Sequence, residues 1–185
     1  MRIAACLQIM YLYKKKMKNI FLFGWTLLAF SACNNQGKEP VNYPSHEYNV
    51  SSVSSDDADK NHLVYVPIYS DIYHKDGSKR ILLTATLSIR NTDLTDTLYL
   101  FDIDYYNSRG DMIKNFLASP LEVKPMESLE FIVEEKNKLG GAGANFVVRW
   151  GGDTGLNHPI IQAVMIGTSG QQGLSFTTEG VDIVR

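Results

Sequence analysis

Cysteine is nearly absent from this chain. The 185 residues hold Cys6 and Cys33, and none follows. Everything beyond residue 33 must therefore be held together by an apolar core and not by disulfides. The same absence excludes a thiol nucleophile, a thiolate-ligated zinc site and a blue-copper centre from that region. A long hydrophobic run is also missing. The longest apolar stretch, residues 20–32, has 13 residues, while a spanning helix needs about 17–25. Excess positive charge is missing too. Residues 62–185 carry 11 Lys and Arg against 15 Asp and Glu, a net charge of −4. Evenly spread acidity of this kind is unsuited to a nucleic-acid surface. No 11-residue window shows a helical period, and no internal repeat is visible.

What is present starts with the N-terminus. Lys14, Lys15, Lys16 and Lys18 precede the apolar stretch, and Phe30-Ser31-Ala32-Cys33 closes it. A basic region, a short apolar region and small residues before the cut mark a secretory signal. Cys33 resembles the lipid-attachment cysteine of a bacterial lipoprotein. Phe30 in place of the commoner Leu fits the looser lipoboxes of Bacteroidota-type bacteria. The reading is a signal peptide over residues 1–32, with Met17 as an alternative start, followed by an acylated Cys33. Several acyl chains give a stable anchor, at about 0.8 kcal/mol per buried CH₂.

Residues 33–61 read as a disordered tether. They contain Pro40, Pro44, four serines between 51 and 55, and Asp56-Asp57-Ala58-Asp59. Without a sustained apolar period such a segment cannot offset its ordering entropy. As a flexible coil of about 5–6 Å × √n it would hold a domain a few nanometres from the bilayer.

Residues 62–185 change to period two and are long enough for one domain. Ile81, Leu83, Ala85, Leu87 and Ile89 alternate with Leu82, Thr84, Thr86, Ser88 and Arg90, which predicts a half-buried strand. Phe101, Ile103 and Tyr105 are expected on one face of the next strand, with Asp102, Asp104 and Tyr106 on the other. Ser108-Arg109-Gly110-Asp111 predicts a tight turn with residues 112–117 pairing back. Leu129, Phe131 and Val133 mark another strand, and Phe146, Val148 and Trp150 another, with Gly140-Gly141-Ala142-Gly143 as a hairpin connection between them. Residues 160–166 are nearly all apolar and predict a central strand. Short strands with turn signals between them predict an all-β fold, an Ig-like or fibronectin-like antiparallel β-sandwich.

Several stretches carry a family resemblance: Val64-Tyr65-Val66-Pro67-Ile68-Tyr69-Ser70 with Tyr73-His74, Leu82-Leu83-Thr84-Ala85-Thr86-Leu87, Phe131-Ile132-Val133-Glu134-Glu135, Gly140-Gly141-Ala142-Gly143-Ala144-Asn145-Phe146, and Ala163-Val164-Met165-Ile166-Gly167-Thr168. Together they resemble a bacterial domain-of-unknown-function family of small exported proteins and lipoproteins, over nearly all of residues 63–180. The resemblance implies envelope residence and one compact domain. It implies no reaction and no site residue.

No catalytic constellation stands out. There is no Gly-x-Ser-x-Gly elbow, no P-loop Lys-Ser/Thr after the glycines, and no His-x-His or His-Glu-x-x-His pair. His46, His62, His74 and His158 are scattered. Asp102 with Asp104, and Asp93 with Asp96, are carboxylate pairs that fit a solvated strand and a polar turn as well as a cation. Asp96-Thr97-Leu98 resembles the O-glycosylation sequon of Bacteroidota. No cofactor is expected. The candidate binding residues are Tyr65, Tyr69 and Tyr73, which share one side of the first strand if it runs unbroken, and Gly141, Gly143 and Asn145 around the glycine-rich loop. The leading expectation is an outer-membrane, lipid-anchored module that binds an envelope protein or glycan and no nucleic acid. The alternatives are a loop-based hydrolase or metal-dependent enzyme, or a structural envelope protein.

Overall fold

The computed structural model describes residues 48–183. Cys33, the signal segment and the first part of the expected tether lie outside them.

Strands are the only regular elements among the described residues, and every pairing is antiparallel. In chain order they are β1 (Asn49–Val50), β2 (Lys60–Pro67), β3 (Asp71–His74), β4 (Lys79–Leu82), β5 (Thr84–Arg90), β6 (Leu98–Tyr106), β7 (Met112–Asn115), β8 (Leu121–Val123), β9 (Ser128–Val133), β10 (Asn145–Gly152), β11 (Ile160–Ser169), β12 (Gln172–Glu179) and β13 (Val181–Ile183). One sheet has seven strands in the order β1-β8-β6-β10-β2-β13, with β7 also pairing to β6. The second has four, β12-β11-β5-β9, and β3-β4 form a separate hairpin. The all-β antiparallel sandwich expected from the sequence is the fold.

The core lies between the two sheets and follows the alternation. Leu83, Ala85, Leu87 and Ile89 are fully enclosed, facing Ile103, Tyr105, Phe146, Val148 and Trp150. Burying a large apolar side chain contributes about 1.5–3 kcal/mol, and this cluster has no disulfide to assist it.

The structure corrects the strand reading in four places. First, β6 contains a register shift opposite Arg149 and Trp150. Such a bulge re-aims the strand. Leu98 and Leu100 therefore join Ile103 and Tyr105 in the core, while Phe101 is buried outside that cluster. Second, β9 and β10 belong to different sheets, so the glycine-rich loop is a crossover between sheets and not a hairpin. Third, the apolar β11 is central, but only Ile161, Ala163 and Met165 point into the core. Ile160 and Ile166 on its other face are about half exposed, at 49% and 51%. Fourth, ordered structure begins inside the expected tether. Val50 pairs with Leu121 across β1 and β8, Ser51 N–H donates to Pro120 O at 2.8 Å, and Tyr48 stacks on Phe131 with ring centres 5.5 Å apart. An aromatic contact and a backbone pairing fix this short stretch despite its polar surroundings.

Candidate functional site

Three connections meet at one end of the sandwich: the β3-β4 hairpin, the β6-β7 turn and the glycine-rich crossover. Backbone bonds lace them together. Ser70 N–H donates to Gly141 O at 3.1 Å, Ile68 N–H to Ala144 O at 2.9 Å, and Ser108 N–H to Gly140 O at 2.9 Å.

Each piece is shaped by its own residues. In the β6-β7 turn the Asn107 side-chain oxygen accepts the N–H groups of Arg109 at 2.8 Å and Asp111 at 3.0 Å, the local bonding that makes Asn a turn residue. Gly110 there has φ of 82°, a conformation that suits glycine. The Ser108 hydroxyl donates to Gly140 O at 3.0 Å and accepts from Gly143 N–H at 2.8 Å. One hydroxyl thus clamps both ends of the glycine run. Gly140 itself lies against two side chains: a Cβ added there would overlap Tyr105 Oη and Ser70 Oγ.

Between these pieces lies an open cleft of about 480 Å³, within the usual range of small-molecule sites. Asp71, Tyr73, Arg80, Arg109, Lys138 and the glycine-rich loop line it. Tyr73 and Arg80 are cross-strand partners in the hairpin. Arg80 donates to Asp71 Oδ1 at 2.7 Å and to Tyr73 Oη at 3.0 Å, and its guanidinium lies 4.5 Å from the centre of the Tyr73 ring. The Asp71 side chain is only 8% exposed, so this pair is the fixed wall of the cleft. Arg109 is 82% exposed beside Asp111 at 3.2 Å. Two side-chain hydrogen bonds, from Asn107 first and then Arg109, hold the Asp111 carboxyl below its usual range.

The candidate residues fare differently. Tyr73, Gly141 and Gly143 line this cleft. Tyr65 and Tyr69 do not, because the strand ends at Pro67 and β3 starts afresh at Asp71. Proline cannot continue a ladder. Tyr65 pairs with Val147 and Val181 on the sheet, while Tyr69 turns onto the core against Phe176. Asn145 opens β10 between Tyr106 and Pro67. The cleft's cations, Arg80, Arg109 and Lys138, had no signal in the sequence beyond their proximity to turns.

Asp102 and Asp93 are held in structural contacts, whereas Asp104 Oδ1 is buried without a hydrogen-bond partner. Asp102 is bound to Arg149 Nε at 3.0 Å and accepts from Asn115 at 3.3 Å. Burial, with the neighbouring Asp102 charge second, pushes the Asp104 carboxyl up. Asp93 accepts backbone N–H groups from Thr95, Asp96 and Asn157, and these hold its carboxyl at about 2. At the opposite end of β10 the structure brings together residues that are distant in sequence. His62 stacks on Trp150 with centres 4.6 Å apart, and His158 meets both rings edge-on. His158 Nδ1 lies 3.8 Å from Asp182. Among the described residues no group of three or more His, Cys, Asp or Glu is placed to hold a metal ion.

The family model described as "Protein of unknown function (DUF3124)" matches residues 61–183. The chain belongs to this family. The match spans β2 to β13 and so contains every element that builds the cleft. No match was found among curated proteins. Among solved structures, the crystal structure of Thermotoga maritima 1070 is similar at 16% identity and a TM-score of 0.37, over 65% of this chain and 92% of that one.

Proposed function

We propose that this DUF3124 protein is a lipoprotein of the bacterial cell envelope whose sandwich is a protein- or glycan-binding module. Cys33, in a lipobox of the Bacteroidota type, is the attachment point. Asn34 after it lacks the Asp that retains enterobacterial lipoproteins at the inner membrane, which favours the outer membrane. The observation that carries the binding reading is the loop-end cleft: an exposed aromatic ring, three cations and a clamped backbone loop, carried on a rigid β scaffold.

The test has two arms. Cys33→Ser should release the chain from the membrane fraction or leave an unprocessed precursor, and should abolish lipid labelling. Unchanged partitioning and labelling would remove the anchor. In the second arm, Ala142→Glu at the cleft should reduce binding of the purified full chain to isolated envelopes at an unchanged melting temperature. Equal binding at equal stability would remove the cleft as the site.

A further inference from the structure

The chemistry of the cleft is one-sided. Several of its acceptors are already engaged within the chain. Asp71 Oδ1 takes Arg80, Asn107 Oδ1 takes two backbone N–H groups, and Ser108 Oγ takes Gly143 N–H. The carbonyl of Gly140 is taken twice by Ser108, and that of Gly141 by Ser70. Beside them stands a set of donors. Arg80 has five N–H groups and spends one on Asp71 and one on Tyr73. Arg109 is bound to Asp111 through Nε, which leaves its Nη groups open. Lys138 has no ion-pair partner among the described residues. The N–H groups of Gly141 and Ala142 likewise have no described partner, and Gly141 has φ of 80°. A left-handed residue is one half of the conformational pair from which backbone anion-binding nests are made.

A cleft that offers donors and positive charge selects a ligand rich in anionic oxygen. Tyr73 narrows the class. Its ring is 61% exposed, with Arg80 over one face. An open aromatic face beside cations suits a ring-shaped, partly apolar ligand with an anionic substituent better than a bare ion. We propose that the cleft binds an acidic glycan: a sugar ring packs on Tyr73, its carboxylate meets Arg109 and Lys138, and the 140–143 loop supplies backbone N–H groups. The proposal rests on the binding reading above and assigns its ligand class. The domain as a whole carries net negative charge, so its overall charge does not itself draw an anionic ligand.

The experiment is calorimetric titration of the detergent-solubilised full chain with tetragalacturonate and, separately, maltotetraose. Tetragalacturonate should bind, and more weakly as salt rises. Arg109→Glu with Lys138→Glu should weaken it at least tenfold, as should Tyr73→Ala. The charge-matched control Lys124→Glu, exposed at the β8-β9 turn, should not. Equal binding of maltotetraose, equal binding by the Arg109/Lys138 variant, or binding of inorganic phosphate without tetragalacturonate would each overturn the acidic-glycan assignment. If neither oligosaccharide nor phosphate binds while Ala142→Glu still lowers envelope binding, this assignment fails and the broader binding reading stands on its own test.

Discussion

The hydroxyls of Ser70 and Tyr105 meet at 2.8 Å, both out of contact with solvent, and Gly140 closes over them. This contact couples the hairpin base, strand β6 and the crossover loop at one point. Gly140→Ala should therefore destabilise the domain and displace the cleft wall together. Overpacking of a tight site costs about 1–3 kcal/mol. Gly173→Ala, where an added Cβ meets nothing, should leave the thermal midpoint nearly unchanged. Equal midpoints for the two variants would show that the loop yields freely.

Tyr105→Phe removes one side of that contact and strands the Ser70 hydroxyl. The expected cost is about 1–3 kcal/mol in denaturant unfolding. It also carries a pH signature. Burial, partly opposed by the Ser70 bond, pushes the Tyr105 phenol above its usual 10.0. The folded state therefore holds its proton where the unfolded chain begins to lose it. This contribution is complete below pH 10 and is lost as pH rises above it. Tyr105→Phe should flatten the alkaline limb of stability against pH.

Asp93 gives the opposite limb. Its carboxyl is held at about 2, against an ordinary 3.8, by three backbone N–H groups, one of which, from Asn157, ties the β5-β6 connection to the β10-β11 connection. The stabilisation is present above the ordinary value and is lost as pH falls through about 2. Asp93→Asn should lower stability at neutral pH and flatten the curve between pH 4 and 2. An unchanged acid limb would show that this carboxylate does not govern it.

Adjacent residues on β11 should separate sharply. Ala163 is fully enclosed between the sheets, while Val164 lies on the half-exposed outer face. Ala163→Asp should abolish folding, since an unpaired buried charge costs several kcal/mol, comparable to total domain stability. Val164→Asp should fold, with a modest drop in midpoint. The comparison is read by circular dichroism and thermal melting.

The core was legible because period-two alternation reports directly which side chains face inward, as Leu83 to Ile89 illustrate. The places that escaped the pattern share a cause. The bulge in β6, which leaves Phe101 outside the main cluster, depends on the partner strand β10. The break at Pro67 was visible as a residue, but where the chain resumed, with Tyr73 beside Arg80, depends on pairing within the hairpin. The role of the glycine loop as a crossover depends on which sheet each flanking strand joins. Turn chemistry around Asn107 and Asp93 was written locally. The meeting of Arg80, Arg109 and Lys138 at one cleft, and of His62, Trp150 and His158 at the other end, was set by tertiary packing alone.

Strand β1 has a mechanical meaning. Any tension on the chain ahead of Tyr48 enters the sandwich through two paired residues and one ring stacked on Phe131. Those contacts lie at the margin of the larger sheet, remote in the strand order from β2 and β13. A steady pull would peel this short strand away first, while β2, β6, β10 and the second sheet stay closed. The sandwich thus yields at β1 before it yields at its centre.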